Sequence, residues 1–493
     1  MKRLTTSLFL ALCMAAVSHA KVWMPSIFDN GMVLQRETNV RLWGTADSGK
    51  AVKVTTSWNK KTYRTNAGND GKWQLSVSTP EAGGPYSVTV SDGETLTFDN
   101  VLIGEVWLCA GQSNMEMPMK GFPSQPIEGG PADILHSTDP LLHVYQAKRI
   151  SRVEPTDTTV GQWKASEPQT IRDFAATAYY FGRELRRTLN VPVGLIVTAW
   201  GGSSCESWMA REYVKPFVTE KSPYQIPYKP EDIKSKNRQP TVLFNGMLHP
   251  VIGYGIKGAI FYQGEDNVPR YADYAQQLQT MIGCWRDKWG IGEFPFYYCQ
   301  IAPYDYSRIN WTVNSALLRE QQYIAETQIA NSGMAVLMDA GIEKGIHPPK
   351  KSVAGERLAM LALVKTYGWE GITAESARYK SMTVEDGKAI LEFERDKMNL
   401  YGANSSFTSH LFEIAGEDRV FHPATVELYK RKFLAVYSPE VKTPVAVRYA
   451  FTDWCEGDLF CDGLPVSSFR TDNWPVEERK TETTETKDYD KQR

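Results

Sequence analysis

The side chains that could take part in a chemical reaction lie in four short polar segments. Each segment follows an apolar run. The first is GQSN at 111–114, and the second is WGGS at 200–203. The third is QGEDN at 263–267, and the fourth run ends at Asp339, with His347 in the loop beyond it. Together they supply a hydroxyl, glycine amides, side-chain amides, carboxylates and an imidazole. These are the groups that nucleophilic acyl transfer requires.

Each group has a distinct role in that chemistry. A serine hydroxyl is a weak nucleophile until a neighbouring base removes its proton, and Ser113 and His347 are the predicted pair. The tetrahedral intermediate carries an oxyanion, which needs hydrogen-bond donors already aimed at it. The backbone amides of Ser113 and Gly202 are predicted donors, together with the side-chain amide of either Gln263 or Asn267. The residues alone do not decide between these two side chains.

The elements that must bring these segments together have the pattern of a parallel α/β sheet with flanking helices. Five apolar runs (VWLCAG, VPVGLIVTAW, GAIFY, FPFYYCQ and MAVLMDA) alternate with helical patterns such as YYFGRELRRTLN and KSVAGERLAMLALVK. This alternation predicts parallel strands, and ligands bind beyond the carboxyl ends of such strands. Two segments rich in Pro, Asp, Lys and Ser, roughly 116–170 and 210–245, are predicted to be long loops.

All-β modules are predicted on both sides of this region. Residues 21–102 contain alternating runs such as KWQLSVST and PYSVTV between turn signals, which is typical of a small β-sandwich. After the α/β region at 103–370, alternation returns in KAILEFE and KFLAVYS and predicts a second β module at 371–475. The polar tail at 476–493 is predicted to be disordered.

Composition and the first residues indicate a compartment and a class of partner. Residues 1–20 have a basic start, a short apolar run and a small-x-small end, which predicts a signal peptide and export to the periplasm or the extracellular space. No later apolar run is long enough to predict membrane insertion. Six cysteines remain after residue 20, and Cys455 and Cys461 are close enough in sequence to form a disulfide. The net charge of −2 gives no basic surplus for nucleic acid, so the expected partner is a small molecule or a glycan.

The four segments also resemble the ordered blocks of a known family. GEVWLCAGQSNMEMPM, WGGSSCESW, FYQGEDN and IHP are similar to the blocks of SGNH-type hydrolases, specifically of the sialate O-acetylesterase family. Flanking stretches such as MVLQRETNVRLWGTA, FNGMLHP and GLPVSSFRTDNWP extend the resemblance over most of the chain. The resemblance implies an SGNH-type sheet, with Ser113 as nucleophile and His347 as base. It also implies an oxyanion hole made by Gly202 and the block from Gln263 to Asn267, and a reaction without a metal.

The group that orients His347 is where the chain departs from the SGNH pattern. Many such hydrolases have an aspartate three residues before the histidine, whereas this chain has Lys344 there. Asp339 is the favoured substitute, because a residue at a strand end is held rigidly. Glu343 in the loop and a backbone carbonyl, which would leave a Ser–His dyad, are the alternatives.

The residues predict an exported serine esterase with an acyl-enzyme on Ser113, and the resemblance implies that it removes O-acetyl groups from sialic acids. The predicted partner is an O-acetylated sialic acid or a sialoglycan, and no cofactor is expected, since no cluster of ligands has zinc-like spacing. One alternative is an acetylesterase that acts on polysaccharides such as acetylated xylan, and another is a non-catalytic glycan-binding protein. A sialic acid would bring a carboxylate for an arginine to bind bidentately. The sequence does not identify that arginine, the preferred acetyl position or the oligomeric state.

Overall fold

A parallel sheet with helices on both faces lies at the centre of the protein, with β modules before and after it in the chain. The structure, a computed structural model, describes residues 22–309, 311–394, 400–402, 409–430 and 432–477. The predicted α/β class with two flanking β modules is confirmed. The predicted signal peptide at 1–20 lies outside the described residues, as does the predicted tail from residue 478 onward.

The N-terminal module is built mainly from short antiparallel strands. They are β1 Val33–Gln35, β2 Asn39–Thr45, β3 Ala51–Thr56, β4 Thr62–Asn66, β5 Lys72–Ser78, β6 Gly83–Ser91 and β7 Thr95–Gly111. β2 pairs with β5, β3 pairs with β4 and β6, and β6 pairs with β7. β7 then continues into the central sheet from Glu105 onward. The predicted boundary at residue 102 therefore falls inside one continuous strand.

The central sheet continues from β7 with strands that approach the site from several parts of the chain. These strands are β8 Asp139–Gln146, β9 Trp163–Ser166, β10 Val193–Ala199, β11 Gly258–Tyr262, β12 Phe296–Cys299 and β13 Ser332–Ala335. Their order is β13-β12-β11-β7-β10-β8-β9, and every pair is parallel except β8 with β9. Four of the five predicted runs are strands over most of their length. The fifth, MAVLMDA, is a strand only as far as Ala335, so Asp339 lies in a turn four residues beyond β13 and not at a strand end. β8 and β9 lie within 116–170, so the prediction of a loop over that whole segment is wrong.

Helices cover both faces of the sheet. Their bounds are α1 Ser113–Glu116, α2 Gly130–Leu135, α3 Pro168–Ile171, α4 Ala176–Leu189, α5 Arg211–Val214, α6 Tyr274–Trp289, α7 Ala316–Gln328 and α8 Lys351–Lys365. On one face, the ring of Trp107 in β7 lies 5.1 Å from that of Phe181 in α4. On the other, Phe261 in β11 lies 5.8 Å from Trp285 in α6. Burial on both faces explains why these strands are apolar throughout.

The C-terminal module consists of antiparallel strands and is hydrogen-bonded to α7. They are β14 Tyr379–Glu385, β15 Lys388–Phe393, β16 Leu400–Gly402, β17 Phe412–Ala415, β18 His422–Pro423, β19 Thr425–Tyr429, β20 Phe433–Tyr437, β21 Ala446–Tyr449, β22 Leu459–Cys461, β23 Leu464–Pro465 and β24 Phe469–Arg470. The guanidinium of Arg319 in α7 is fully buried and donates to Oγ of Ser468 at 3.1 Å and to the carbonyl oxygen of Thr452. A buried cation with these acceptors fixes the module to the central domain.

Two sequence expectations concern cysteines and membranes. The six cysteines at 109, 205, 284, 299, 455 and 461 are buried thiols, and Cys455 and Cys461 do not form a disulfide. Within the described ranges, no helix combines the length and the apolar character needed to cross a membrane.

Candidate active site

The serine of the first segment lies where β7 ends against its neighbour β11. Gly111 has a φ of 139°, and a Cβ there would lie 2.2 Å from the carbonyl oxygen of Tyr262. Glycine is required at this approach because any side chain would collide with backbone. The N–H of Gln112 then donates to the same carbonyl at 2.9 Å. Ser113 begins α1 directly afterwards, with 6% of its surface exposed.

The second segment, after β10, packs directly against this serine. A Cβ on Gly201 would lie 3.2 Å from Cβ of Ser113, which is tighter than ordinary side-chain contact. The N–H of Gly201 donates to Oε2 of Glu116 at 2.7 Å, so the last residue of α1 holds the turn in place. Gly202 follows with a φ of 67°. In the described part of the chain, the N–H groups of Ser113 and Gly202 donate no hydrogen bond, so both remain available as donors.

The histidine loop is tied to the residue that follows the serine. Nδ2 of Asn114 donates to the carbonyl oxygen of Ile346 at 3.1 Å. Asn114 is the immediate neighbour of Ser113, and Ile346 is the immediate neighbour of His347. This hydrogen bond spans 232 positions of sequence and brings the predicted nucleophile and the predicted base to one edge of the sheet.

The same asparagine lies in a buried ionic network. Its Nδ2 also donates to Oε1 of Glu265 at 2.5 Å, and its Oδ1 accepts from Nζ of Lys351 at 2.6 Å. That ammonium donates in addition to the carbonyl oxygen of Pro348, at 2.8 Å. Burial raises the pKa of Glu265 to about 7 and lowers the pKa of Lys351 to about 7. The network thus links the first and third segments to the histidine loop, and its charge changes near neutral pH.

A tight turn after α1 orients the imidazole of His347. Nδ1 of His347 lies 2.6 Å from Oε1 of Gln125, and the His347 ring meets the edge of Phe122 at 5.2 Å between ring centroids. Phe122 and Gln125 exchange two backbone hydrogen bonds, of 3.1 and 2.9 Å, which fix both side chains on one turn. Since the amide oxygen accepts, Nδ1 carries a proton, and in the neutral imidazole the lone pair is therefore on Nε2. That is the tautomer a general base needs.

Asp339, the acid predicted to orient His347, binds a different group. Both carboxylate oxygens of Asp339 accept from the guanidinium of Arg357, at 2.6 and 2.7 Å, in a bidentate ion pair. Glu343 is exposed in the loop. The prediction that Asp339 orients His347 is therefore wrong, because its oxygens are used by α8 and Gln125 takes the Nδ1 position. No sequence signal distinguished Gln125, which is 222 positions away from His347 in a loop rich in proline and serine.

The two predicted oxyanion side chains are also engaged within the protein. Nε2 of Gln263 donates to the carbonyl oxygen of Ser203 at 3.0 Å and to Oδ1 of Asn267 at 2.8 Å. Nδ2 of Asn267 donates to Oε2 of Glu206 at 3.0 Å and to Oε1 of Gln277 at 3.3 Å. Both residues are at most 1% exposed. Their amide protons are all used, so the prediction that one of these side chains completes the oxyanion hole is wrong.

The described residues contain no group of three or more His, Cys, Asp or Glu side chains placed to bind a metal ion. The groups that converge at this edge of the sheet are instead a hydroxyl, an oriented imidazole and two backbone N–H donors. Such a set can carry out acyl transfer from an ester to water.

Comparison with known proteins places this chain among esterases. Residues 103–347 match the family model described as carbohydrate esterase, sialic acid-specific acetylesterase. The human sialate O-acetylesterase is 27% identical, and the match covers 87% of this chain and 88% of the human protein. The sialate O-acetylesterase of Pongo abelii is 28% identical, with 87% and 88% covered. The crystal structure of a carbohydrate acetylesterase from Xanthomonas citri is 33% identical and superimposes with a TM-score of 0.83, covering 92% of this chain and 100% of that one.

Proposed function

The chain belongs to the sialic acid-specific acetylesterase family of carbohydrate esterases, and we propose that it removes O-acetyl groups from sialic acids as a serine esterase. Its activity is that of a carboxylic ester hydrolase. The proposed substrate is taken from the relatives, which are named sialate O-acetylesterases. The match to this chain covers most of their length. The geometry of the site supports the residue roles that we propose.

In the first half of the reaction, Oγ of Ser113 attacks the carbonyl carbon of the acetyl group while Nε2 of His347 takes the hydroxyl proton. The carbonyl π electrons move to oxygen and form a tetrahedral oxyanion. The C–O bond to the sugar then breaks, and His347 returns the proton to the departing sugar hydroxyl. Acetyl-Ser113 and a deacetylated sugar are the products of this half.

In the second half, a water molecule takes the place of the sugar. Nε2 of His347 removes a proton from the water as its oxygen attacks the acetyl carbonyl of acetyl-Ser113. In the collapse of the second tetrahedral intermediate the bond from carbon to Oγ breaks, His347 returns the proton to Oγ, and acetic acid leaves and ionises to acetate. The backbone N–H groups of Ser113 and Gly202 are the proposed oxyanion donors in both halves, since they donate to no other described group.

The observation that carries this proposal is the hydrogen bond from Nδ1 of His347 to Gln125. It fixes the basic tautomer of a histidine whose loop is bonded to Asn114, the neighbour of Ser113. The hydrogen bond from Asn114 to the carbonyl oxygen of Ile346 holds the histidine loop beside the segment that carries Ser113. The arrangement therefore supports a catalytic pair and argues against a non-catalytic glycan-binding protein.

The test is acetate release by the full chain from O-acetylated sialic acids, with acetylated xylan assayed in parallel. We expect release from the sialic acids, loss of that activity in Ser113→Ala without a change in melting temperature, and labelling of Ser113 by a fluorophosphonate probe. Activity is expected to persist after exhaustive EDTA dialysis. Release from xylan alone would favour the polysaccharide acetylesterase, and release from neither substrate would favour the glycan-binding protein.

Export is part of the same proposal and rests on the sequence of residues 1–20. A soluble product in the periplasm or outside the cell would meet sialoglycans directly. N-terminal sequencing of the mature protein is expected to begin at Lys21, after cleavage at Ala20. A mature protein that retains residues 1–20 would contradict export by this route.

A further inference from the structure

A cavity with a cationic lining lies at the carboxyl edge of the sheet, beside the proposed catalytic residues. It has a volume of about 620 Å³, and the residues that matter for the argument are Glu116, Lys120, Phe122, Lys148 and Arg149. Glu116 belongs to the same helical turn as the serine, and the ring of Phe122 contacts that of the catalytic histidine. The cavity is thus adjacent to the place where the acetyl ester must sit.

Arg149 reaches this cavity because β8 ends three residues before it. β8 runs parallel to β10, so the segment after Gln146 emerges at the same edge as the turn at Gly201. Nε of Arg149 donates to Oε1 of Glu116, and the guanidinium carbon lies 5.9 Å from the ring centroid of Trp200. Glu116 in turn holds Gly201, which packs against the nucleophile. The guanidinium is therefore fixed through one nitrogen to the same carboxylate that holds the glycine turn.

The hydrogen bond through Nε leaves the two terminal nitrogens of the Arg149 guanidinium available to a ligand. Arg149 is attached to the protein through Nε, and its side chain is 51% exposed. The two terminal nitrogens form the fork that matches a carboxylate bidentately. An arginine that served only to neutralise Glu116 would not require a cavity in front of it.

The charge balance of the cavity favours an anion. Glu116 is paired with Arg149, and Asp173 is paired with Lys120 at 2.6 Å between Nζ and Oδ1. Lys148 also lines the cavity and forms no ion pair within the described ranges. The lining thus carries one cation more than it has carboxylates. A substrate carboxylate would restore neutrality.

We infer that Arg149, supported by Lys148, binds the carboxylate of an acidic acetylated sugar and makes the esterase selective for anionic substrates. The inference rests on the proposed function and names the group that recognises its substrate class. Neutral acetylated polysaccharides have no carboxylate for this fork, so Arg149 distinguishes the two substrate classes.

A second arginine on the other side of the glycine turn offers the comparison that tests this choice. Nη2 of Arg238 lies 3.5 Å from the position of a Cβ on Gly202, and its Nε donates to Oδ1 of Asp266 at 2.7 Å. Arg238 lines a different cavity, which Glu206 also lines. Its side chain is 32% exposed, less than that of Arg149. The two arginines are thus held in similar ways, and they differ in the cavity that each one faces.

The experiment compares an O-acetylated sialic acid with its methyl ester, in which a neutral ester replaces the carboxylate. Acetate release gives kcat/KM for each substrate with the wild-type chain, Arg149→Gln, Arg149→Lys and Arg238→Gln. We expect the wild type to prefer the free acid. Arg149→Gln should reduce that preference by about ten- to a hundredfold, because a hydrogen bond to a charged group is lost. The change should appear mainly in KM. Arg149→Lys is expected to keep only part of it, since a lysine lacks the fork. Melting temperatures verify that the variants fold.

The outcomes separate this inference from the proposed function. Equal rates on the acid and the methyl ester with the wild type would overturn the carboxylate site and leave the esterase intact. A preference that survives in Arg149→Gln but disappears in Arg238→Gln would also overturn it, because the fork would then lie on the other side of the turn. Failure of the wild type to release acetate from either substrate would instead overturn the proposed function.

Discussion

Oε1 of Gln125 accepts a hydrogen bond of 2.6 Å from Nδ1 of His347, so a neutral amide holds the position that a carboxylate holds in serine-hydrolase triads. An amide oxygen fixes the tautomer and the orientation of the ring. It does not supply the negative charge that stabilises an imidazolium. The site therefore separates orientation from charge stabilisation, and substitutions at Gln125 can measure each one.

The first prediction concerns that separation. Gln125→Glu keeps the acceptor and adds a negative charge, which favours the protonated form of His347 and raises its pKa. Because the base must be unprotonated, the acidic limb of kcat/KM should move to higher pH by about one unit. Gln125→Met keeps the length of the side chain but loses the acceptor, and it should lower kcat by about tenfold or more. The measurement is the pH dependence of acetate release.

The control for this prediction lies in the same turn. Ser124 is exposed with a φ of 60°, a conformation that asparagine tolerates. Ser124→Asn should leave the acidic limb where it is in the wild type. If Gln125→Glu also leaves the limb unmoved, Gln125 has only a structural role in the loop.

The second prediction concerns Asp339, whose two oxygens bind Arg357. Asp339→Asn should lower the free energy of unfolding by roughly 1–3 kcal/mol, since it leaves a largely buried guanidinium without its charged partner. It should leave kcat within about threefold of the wild type. If Asp339 oriented the imidazole, the same substitution would lower kcat by up to about 10⁴-fold. Urea unfolding and acetate release decide the matter together. A loss of kcat by several orders of magnitude with unchanged stability would restore Asp339 to the triad.

The fold and the site were not equally predictable from the sequence. The strands that end at Gly111 and Ala199 are continuous apolar runs, because helices cover both faces of the sheet. β8 was missed, because its apolar part is short and contains His143, whose two ring nitrogens lie within hydrogen-bonding distance of backbone carbonyl oxygens in the core. Such compensation for a buried polar group exists only in three dimensions.

The site residues divide in a similar way. The glycine segments and Ser113 are marked by local sequence, since a strand end that approaches another backbone requires glycine. Packing between distant segments decides which group each polar side chain contacts. Gln263 and Asn267 were predicted as oxyanion donors from their type and place, yet their amide protons satisfy buried acceptors. Sequence position alone could not separate a donor that faces substrate from one that faces the core.

The third prediction concerns the contact between Gly201 and Ser113. A methyl group on Gly201 would lie 3.2 Å from Cβ of Ser113 and 3.3 Å from Oε2 of Glu116, so one of them must move. Gly201→Ala should lower kcat by about tenfold, because a shift of a few tenths of an ångström already moves the nucleophile away from its attack geometry. Gly283→Ala is the matched control, since no atom lies within 4 Å of the added methyl group in α6. The control should be as active as the wild type and slightly more stable, whereas full activity in Gly201→Ala would show that this contact does not position the nucleophile.

The fourth prediction concerns pH and the buried network of Glu265, Asn114 and Lys351. The pKa of Glu265 is raised by burial from 4.5 to about 7, so between these values the folded state binds more protons than the unfolded state. Stability contributed by this group is present below about pH 4.5 and is lost as pH rises to about 7. Glu265→Gln cannot ionise and keeps an oxygen that accepts from Asn114. The stability of the variant relative to the wild type should therefore increase between pH 5 and 7, by up to about 3 kcal/mol.

Lys351 does not reverse this sign. Its pKa is lowered by burial, and the charge of Glu265 opposes that lowering. Without the carboxylate, the pKa of Lys351 falls further, which also makes the variant relatively more stable as pH rises. The control is Glu392→Gln, where Lys380 lowers the pKa of a partly exposed carboxylate and the effect of pH should be small and opposite. Urea unfolding at pH 5, 6, 7 and 8 measures all three proteins, and a difference between Glu265→Gln and the wild type that does not change with pH would mean that Glu265 is already ionised across this range.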